Sequence, residues 1–186
     1  MSGGVRRAVA GLLAAGLAAG ALAGCSEADR GRMPGPVPSG VEFRTAPDDA
    51  PPAPPLTLEL TDGTTLDLTE QWGERPVVLV FFETWCTRCA DQQPPINDVV
   101  EEYEDTVLFV GIANLSDPAD VATYVEDHDI TYPVAVEPSG DAMLRYAVAE
   151  PPLVALVGKD GSLLRGWPEG VEGDELATAI ADLAVR

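Results

Sequence analysis

From residue 56 onward the chain switches repeatedly between two hydrophobic periods. Leu56-Thr57-Leu58-Glu59-Leu60-Thr61 is apolar at every second position, the pattern of a strand buried on one face. Asp62-Gly63 supplies a turn and Thr64-Thr65-Leu66-Asp67-Leu68 resumes the alternation, so the pair predicts a β-hairpin. Val77-Val78-Leu79-Val80-Phe81-Phe82 follows Pro76 without a polar break and predicts a strand covered on both faces. A helical stretch runs on to about Tyr103, and Thr106 to Ala113 predicts a second buried strand. Asp117-Pro118 provides an N-cap and a first-turn proline for a helix to about His128. Pro133 to Val136 predicts a strand, Ser139 to Tyr146 a short helix and Leu153 to Val157 another strand. Asp160-Gly161 turns the chain into a strand over 162–167, and residues 173–185 predict an amphipathic helix. Strands alternating with helices predict an α/β fold, a central mixed β-sheet flanked by helices behind an N-terminal hairpin.

Upstream of residue 56 this periodicity is absent. Arg6 and Arg7 precede a stretch of Ala, Leu and Gly over 8–24, which reads as a secretory leader. It ends Leu22-Ala23-Gly24-Cys25, which looks like a bacterial lipobox, so Cys25 is expected to become the lipidated N-terminus. Eight prolines fall between Pro34 and Pro55, so residues 25–55 read as a lipidated, Pro-rich, semi-extended tether. The expected organisation is leader 1–24, tether 25–55 and one domain over 56–186. The anchor would hold the domain at the membrane, on the outer face of the cytoplasmic membrane, where disulfides persist.

Charge narrows the partners. The formal net charge is −20; without Arg6 and Arg7 the rest carries 9 basic against 31 acidic residues, net −22. Such a surface opposes nucleic-acid binding and repels anionic lipid, so an acyl chain and not charge must hold it at the membrane.

Two of the three cysteines, Cys86 and Cys89, are spaced C-x-x-C where the apolar run gives way to the helix. Two sulfurs so placed can interconvert between dithiol and disulfide, the first at a helix N-terminus. A structural bridge and half of a zinc site use the same spacing. Zinc wants about four ligands, and the chain adds only His128, distant in sequence, which reads as a helix-end or solvent residue.

The ordered set of pieces resembles the thioredoxin-fold thiol–disulfide oxidoreductases of the TlpA/ResA type, over residues 56–186. Its carriers are the hairpin, Gly73-Glu74-Arg75-Pro76-Val77-Val78-Leu79, Trp85-Cys86-Thr87-Arg88-Cys89, Pro94, Tyr132-Pro133-Val134 and the segment from Pro152 to Gly161. The resemblance implies a thioredoxin-like fold and redox catalysis without cofactor or metal. Cys86, lowered in pKa by the helix N-terminus, would attack, and the more buried Cys89 would resolve the mixed disulfide in a Cys86–Cys89 redox pair. Trp85 would form a wall beside the sulfurs. Thr87 and Arg88 would help set the potential, Arg88 favouring thiolate. Pro152 aligns with the family's cis-proline, which packs on the sulfurs. The residue before it, used by relatives to hold an extended peptide, is here Pro151, without an N–H. That absence predicts one fewer main-chain bond to clients. Relatives carry a buried acid at positions filled here by Val80 or Gln92; Glu83, three residues before Cys86, is the available substitute or a plain solvated carboxylate. Trp72 and Trp167 read as packing residues.

Function then divides by the direction of electron flow. A membrane-tethered reductase would act on exported client thiols, of the cytochrome c maturation type, with electrons from a membrane donor of the CcdA/DsbD type. An oxidase would donate disulfides instead. A peroxiredoxin requires threonine three residues and proline seven residues before its cysteine, where this chain has Glu83 and Leu79. A copper-binding or non-catalytic module is the rival outside enzymes, without the histidine ligand such carriers use.

Overall fold

The computed structural model describes residues 30–186. The leader over 1–24 and the expected lipidation site Cys25 lie outside the described residues. Among those described, no helix is long and apolar enough to cross a membrane.

The elements run β1 (Thr57–Glu59), β2 (Thr65–Asp67), α1 (Leu68–Trp72), β3 (Val77–Phe82), α2 (Thr87–Glu102), β4 (Leu108–Asn114), α3 (Pro118–Asp127), β5 (Val134–Glu137), α4 (Asp141–Arg145), β6 (Leu153–Val157), β7 (Leu163–Trp167) and α5 (Gly173–Leu183). The central sheet has order β5-β4-β3-β6-β7. β3 pairs parallel with β4, and β4 with β5; β6 runs antiparallel to both β3 and β7. The mixed sheet expected from the alternation of elements is therefore present, with β3 at its centre.

Period two along β3 divides the core. Val78, Val80 and Phe82 face a cluster with Ile96 and Val99 of α2, Tyr124 of α3 and Ile180 of α5. Val77, Leu79 and Phe81 face the opposite cluster, with Leu58 and Leu66 of the hairpin, Leu68 of α1 and Met143 of α4. All six β3 residues are buried, as a strand covered on both faces must be. Cys86 and Cys89 belong to the first cluster, so the layer of α2, α3 and α5 carries the sulfurs.

The hairpin is shorter than its alternating pattern. Leu60 leaves β1 and bridges to Ala135 of β5, and the Thr61 N–H donates to the Val134 carbonyl (2.9 Å). This contact covers the edge strand of the sheet, whose unpaired groups would otherwise be open to another chain. The returning arm ends at Asp67, which caps the unexpected helix α1 by accepting the Thr69 N–H at 2.8 Å. An Asp followed by helix-compatible residues was the signal, hidden because Leu68 also continued the alternation.

Residues 30–55 hold no helix, as the proline content implies, but they do not form a free spacer. The Arg44 N–H donates to Ala184 O (2.9 Å) and the Arg44 Nε to Ala181 O and Val185 O (2.9 Å each), tying this segment to the end of α5. Phe43 bridges to Val185 and Pro52 to Ser162. Arg75, only 4% exposed, donates to Gly35 O (2.8 Å) and Asp105 O (2.9 Å). The expectation of a spacer over 25–55 is thus corrected for its described part. Proline forbids regular structure but leaves carbonyls and neighbouring N–H groups able to bond, and a buried guanidinium needs acceptors of just this kind.

Candidate active site

β3 ends at Phe82, and the chain crosses the rim of the sheet through Glu83-Thr84-Trp85 before α2 begins. The Cys86 N–H donates to the Glu83 carbonyl (3.0 Å) and the Thr84 N–H to Ser116 Oγ (3.3 Å), fixing this turn. Cys86 is the N-cap of α2, in extended conformation (φ −82°, ψ 103°), and its Sγ accepts the Cys89 N–H at 3.1 Å. The first sulfur therefore takes the place that a capping oxygen usually fills, against unpaired N–H groups at the positive end of the helix dipole.

Cys86 and Cys89 form a disulfide, S–S 2.05 Å, χ3 82°, Cα–Cα 5.2 Å. Cys86 is 7% exposed and Cys89 1%, the order an attacking and a resolving sulfur require. Trp85, next to the pair, is 70% exposed, more an open platform than a half-covered wall. Thr87 and Arg88 are both exposed on the first turn of α2.

Against the first turn of α2 lies the segment before β6. The Pro151–Pro152 peptide bond is cis. Arg88 links α2 to this segment: its Nη2 donates to Pro151 O at 3.4 Å and lies 3.7 Å from Glu150 Oε1. Gly170 lies against Gln92 of α2 and Pro152. It has φ +86°, and a Cβ there would sit 2.2 Å from Gln92 Oε1 and 3.0 Å from Pro152 Cγ, so only glycine fits. Gln92 Oε1 accepts the Val171 N–H (3.2 Å), while its Nε2 is buried without a hydrogen-bond partner among the described residues.

Glu83 is buried, 5% exposed, and its Oε1 accepts from Asn114 Nδ2 at 3.1 Å. Of the two readings of this residue, the solvated one is therefore corrected: just past β3, a strand covered on both faces, Glu83 stays under the layers that cover it and bonds to Asn114 of β4. Its partner Asn114, 2% exposed, and Ser116, 8% exposed, whose Oγ donates to the Asn114 carbonyl (3.0 Å), were not anticipated from sequence. The signal was a polar residue closing the apolar run of β4, which ends at Asn114 and not at Ala113.

The remaining candidates lie elsewhere. His128 is the C-cap of α3, its ring 4.3 Å from that of Tyr124. Val80 is buried in the core of β3. Trp167 is buried and donates its Nε1–H to Glu175 Oε1 (2.7 Å).

The geometry can be set beside known proteins. The model of the AhpC/TSA family matches residues 50–166. The chain is 29% identical to thiol-disulfide oxidoreductase ResA of Bacillus thuringiensis subsp. konkukian over 115 residues, 61% of this chain and 65% of that protein. It thus spans about two thirds of the length of the curated relatives it matches, 65% for the first of them. It is similar in structure to a secreted Mycobacterium tuberculosis disulfide oxidoreductase homologous to Escherichia coli DsbE, with TM-score 0.63 and 25% identity, covering 69% of this chain and 96% of that one. It is also similar to the exposed lipoprotein thioredoxin Etrx1 of Streptococcus pneumoniae, with TM-score 0.59 and 28% identity over 70% of this chain and all of that one. With the family matched across β1 to β7 and the sulfur pair at the head of α2, the chain belongs to the AhpC/TSA family and is a thioredoxin-fold redoxin of the TlpA/ResA type.

Proposed function

We propose that this protein is an extracytoplasmic thiol–disulfide oxidoreductase, lipid-anchored through Cys25, that exchanges disulfides with exported client proteins as a reductase. The observation that carries the reading is the Cys86–Cys89 disulfide at the head of α2, with the Cys89 N–H on the Cys86 sulfur. In the reduced protein the same N–H and the helix dipole favour a Cys86 thiolate. That thiolate attacks one sulfur of a client disulfide, forming the mixed disulfide and releasing the client's other sulfur as thiolate. Cys89, deprotonated, attacks Cys86 Sγ. The second client sulfur leaves, two electrons have passed to the client, and the Cys86–Cys89 disulfide remains. A membrane dithiol donor of the CcdA/DsbD type would reset it by the same exchange in reverse.

Names of relatives support this chemistry: a thiol-disulfide oxidoreductase and a secreted disulfide oxidoreductase stand among them. The peroxidase branch of such folds is disfavoured by Glu83 and Leu79 at its two required positions. Insulin reduction by the purified protein tests the reading, with Cys86→Ala as the inactive control and a copper(I) titration as the arm for a metal carrier. The equilibrium of the pair against glutathione tests direction: a potential near that of thioredoxin, about −270 mV, supports the reductase, and one near that of DsbA, about −120 mV, the oxidase.

Glu83 takes the role of the missing acid in this reading. A negative charge buried at the turn that leads into Cys86 opposes a second one on the thiolate, while Arg88 on α2 acts in the opposite sense. Glu83, Arg88 and Glu150 are among the charged side chains at this end of the sheet. Replacing Glu83 by Gln, which keeps the shape and the acceptor oxygen for Asn114, is expected to move the midpoint of Cys86 alkylation in the reduced protein to lower pH. An unchanged midpoint contradicts the role.

A further inference from the structure

A client disulfide that meets Cys86 must bring its main chain against the loops around the sulfurs. A loop that lies against the first turn of α2 is 150–152. The register of β3 with β6 ends at Phe81 opposite Leu153, and that of β6 with β7 begins at Val154, so residues 150–152 extend beyond the paired sheet. Such an overhang is where an extended peptide ordinarily adds as a further strand, through alternating N–H and C=O groups. At Pro151 the overhang is closed on both counts. Pro151 and Pro152 have no N–H to donate. The Pro151 carbonyl is covered by the Arg88 guanidinium, 3.4 Å away, and Arg88 is drawn toward the same loop by Glu150 at 3.7 Å.

We propose that Arg88 and Glu150 form a latch over the Pro151 carbonyl that excludes strand-like docking, so that this protein selects clients by side chains and not by main chain. The inference rests on the disulfide-exchange reading and names what that exchange accepts. The clients it fits carry their disulfide in a turn or loop with apolar side chains beside it. The rim supplies matching surface: Trp85 is 70% exposed and Leu115 65%, and the Thr84 N–H bond to Ser116 Oγ joins the two loops that bear them. In the latch Arg88 and Glu150 are positioning residues, since neither touches a reacting atom. Both are exposed, 53% and 74% for their side chains, so they can be replaced without disturbing the core.

The test compares two uncharged disulfides in steady-state exchange with the full-length protein, with a small dithiol as electron donor and its direct reaction subtracted: an unstructured peptide with one internal disulfide, and bis(2-hydroxyethyl) disulfide, which has no main chain to dock. The quantity read is the ratio of their kcat/KM values. Any change in sulfur reactivity caused by the altered charge affects both and cancels. Arg88→Ala frees the carbonyl and is expected to raise the ratio roughly five-fold, the worth of one neutral hydrogen bond. Glu150→Gln loosens Arg88 and is expected to raise it by a smaller factor, in KM for the peptide more than in kcat. If both variants turn over the small disulfide yet leave the ratio at the parental value, the latch is overturned while the exchange chemistry stands. If neither disulfide is turned over by the parent or the variants, the exchange reading falls and takes the latch with it.

Discussion

Serine at position 86 is expected to lower disulfide exchange by about three orders of magnitude or more, since removal of a nucleophile leaves only the catalysis that binding and positioning supply. The two sulfurs are not equivalent in this respect. Cys86 caps α2 and accepts the Cys89 N–H, so its thiolate is met by a main-chain donor and the helix dipole. Cys89, 1% exposed, is shielded from any large disulfide. A chain with only Cys89 therefore has a thiol that no protein client reaches. A chain with only Cys86 completes the first attack and stops there. Steady-state insulin reduction is expected to be lost in both single variants, whereas alkylation by a small maleimide is expected to be fast only for the chain that retains Cys86. Equal alkylation of the two would remove the distinction between attacking and resolving sulfur.

The second large effect lies beneath the site. Replacing Phe82 by Ala is expected to destabilise the domain by about 3–5 kcal/mol, as for other fully buried aromatics cut to a methyl group. Phe82 is 1% exposed and its ring stacks on Tyr124 with centroids 4.8 Å apart. It is also the last residue of β3, in the same cluster as both cysteines. A cavity there removes the floor from which the turn at 83–85 rises. Urea unfolding checks this through a lower midpoint at unchanged m-value, with the melting temperature falling by roughly 10 °C or more for a domain of this size. A loss under 1 kcal/mol would mean that the surrounding side chains collapse into the space and that the ring does not support the site.

Those two positions also show what the sequence made legible. The uninterrupted apolar run that ends in Phe82 announced a central strand, and C-x-x-C directly after it announced sulfurs at a helix head; both follow from local pattern and are in place. The Pro152 assignment came through family resemblance and not through any local rule. What was not legible depended on long-range contacts. Asp67 reads equally as a strand residue or an N-cap until Thr69 is seen to donate to it. Residues 30–55 read as a free tether because proline content reports only what backbone order is forbidden, while Arg75 and Arg44 bring carbonyl acceptors from distant segments. Glu83 could be solvated or buried on composition alone. Its burial is supported by Asn114, which arrives on the neighbouring strand β4 and donates to it. Arg88 was visible as a charge near the sulfurs, but its attachment to Pro151 O, 63 positions away, exists only once β6 has been laid beside β3.

The most direct measurement uses the chain with Cys89 replaced by serine, reduced and then mixed with a protein disulfide such as insulin, and weighed intact by mass spectrometry. A covalent adduct through Cys86, stable until a dithiol is added and absent when Cys86 is also serine, is the expected result. Complete failure to form that adduct, with the protein folded and Cys86 free to alkylate, would contradict exchange through this pair of sulfurs.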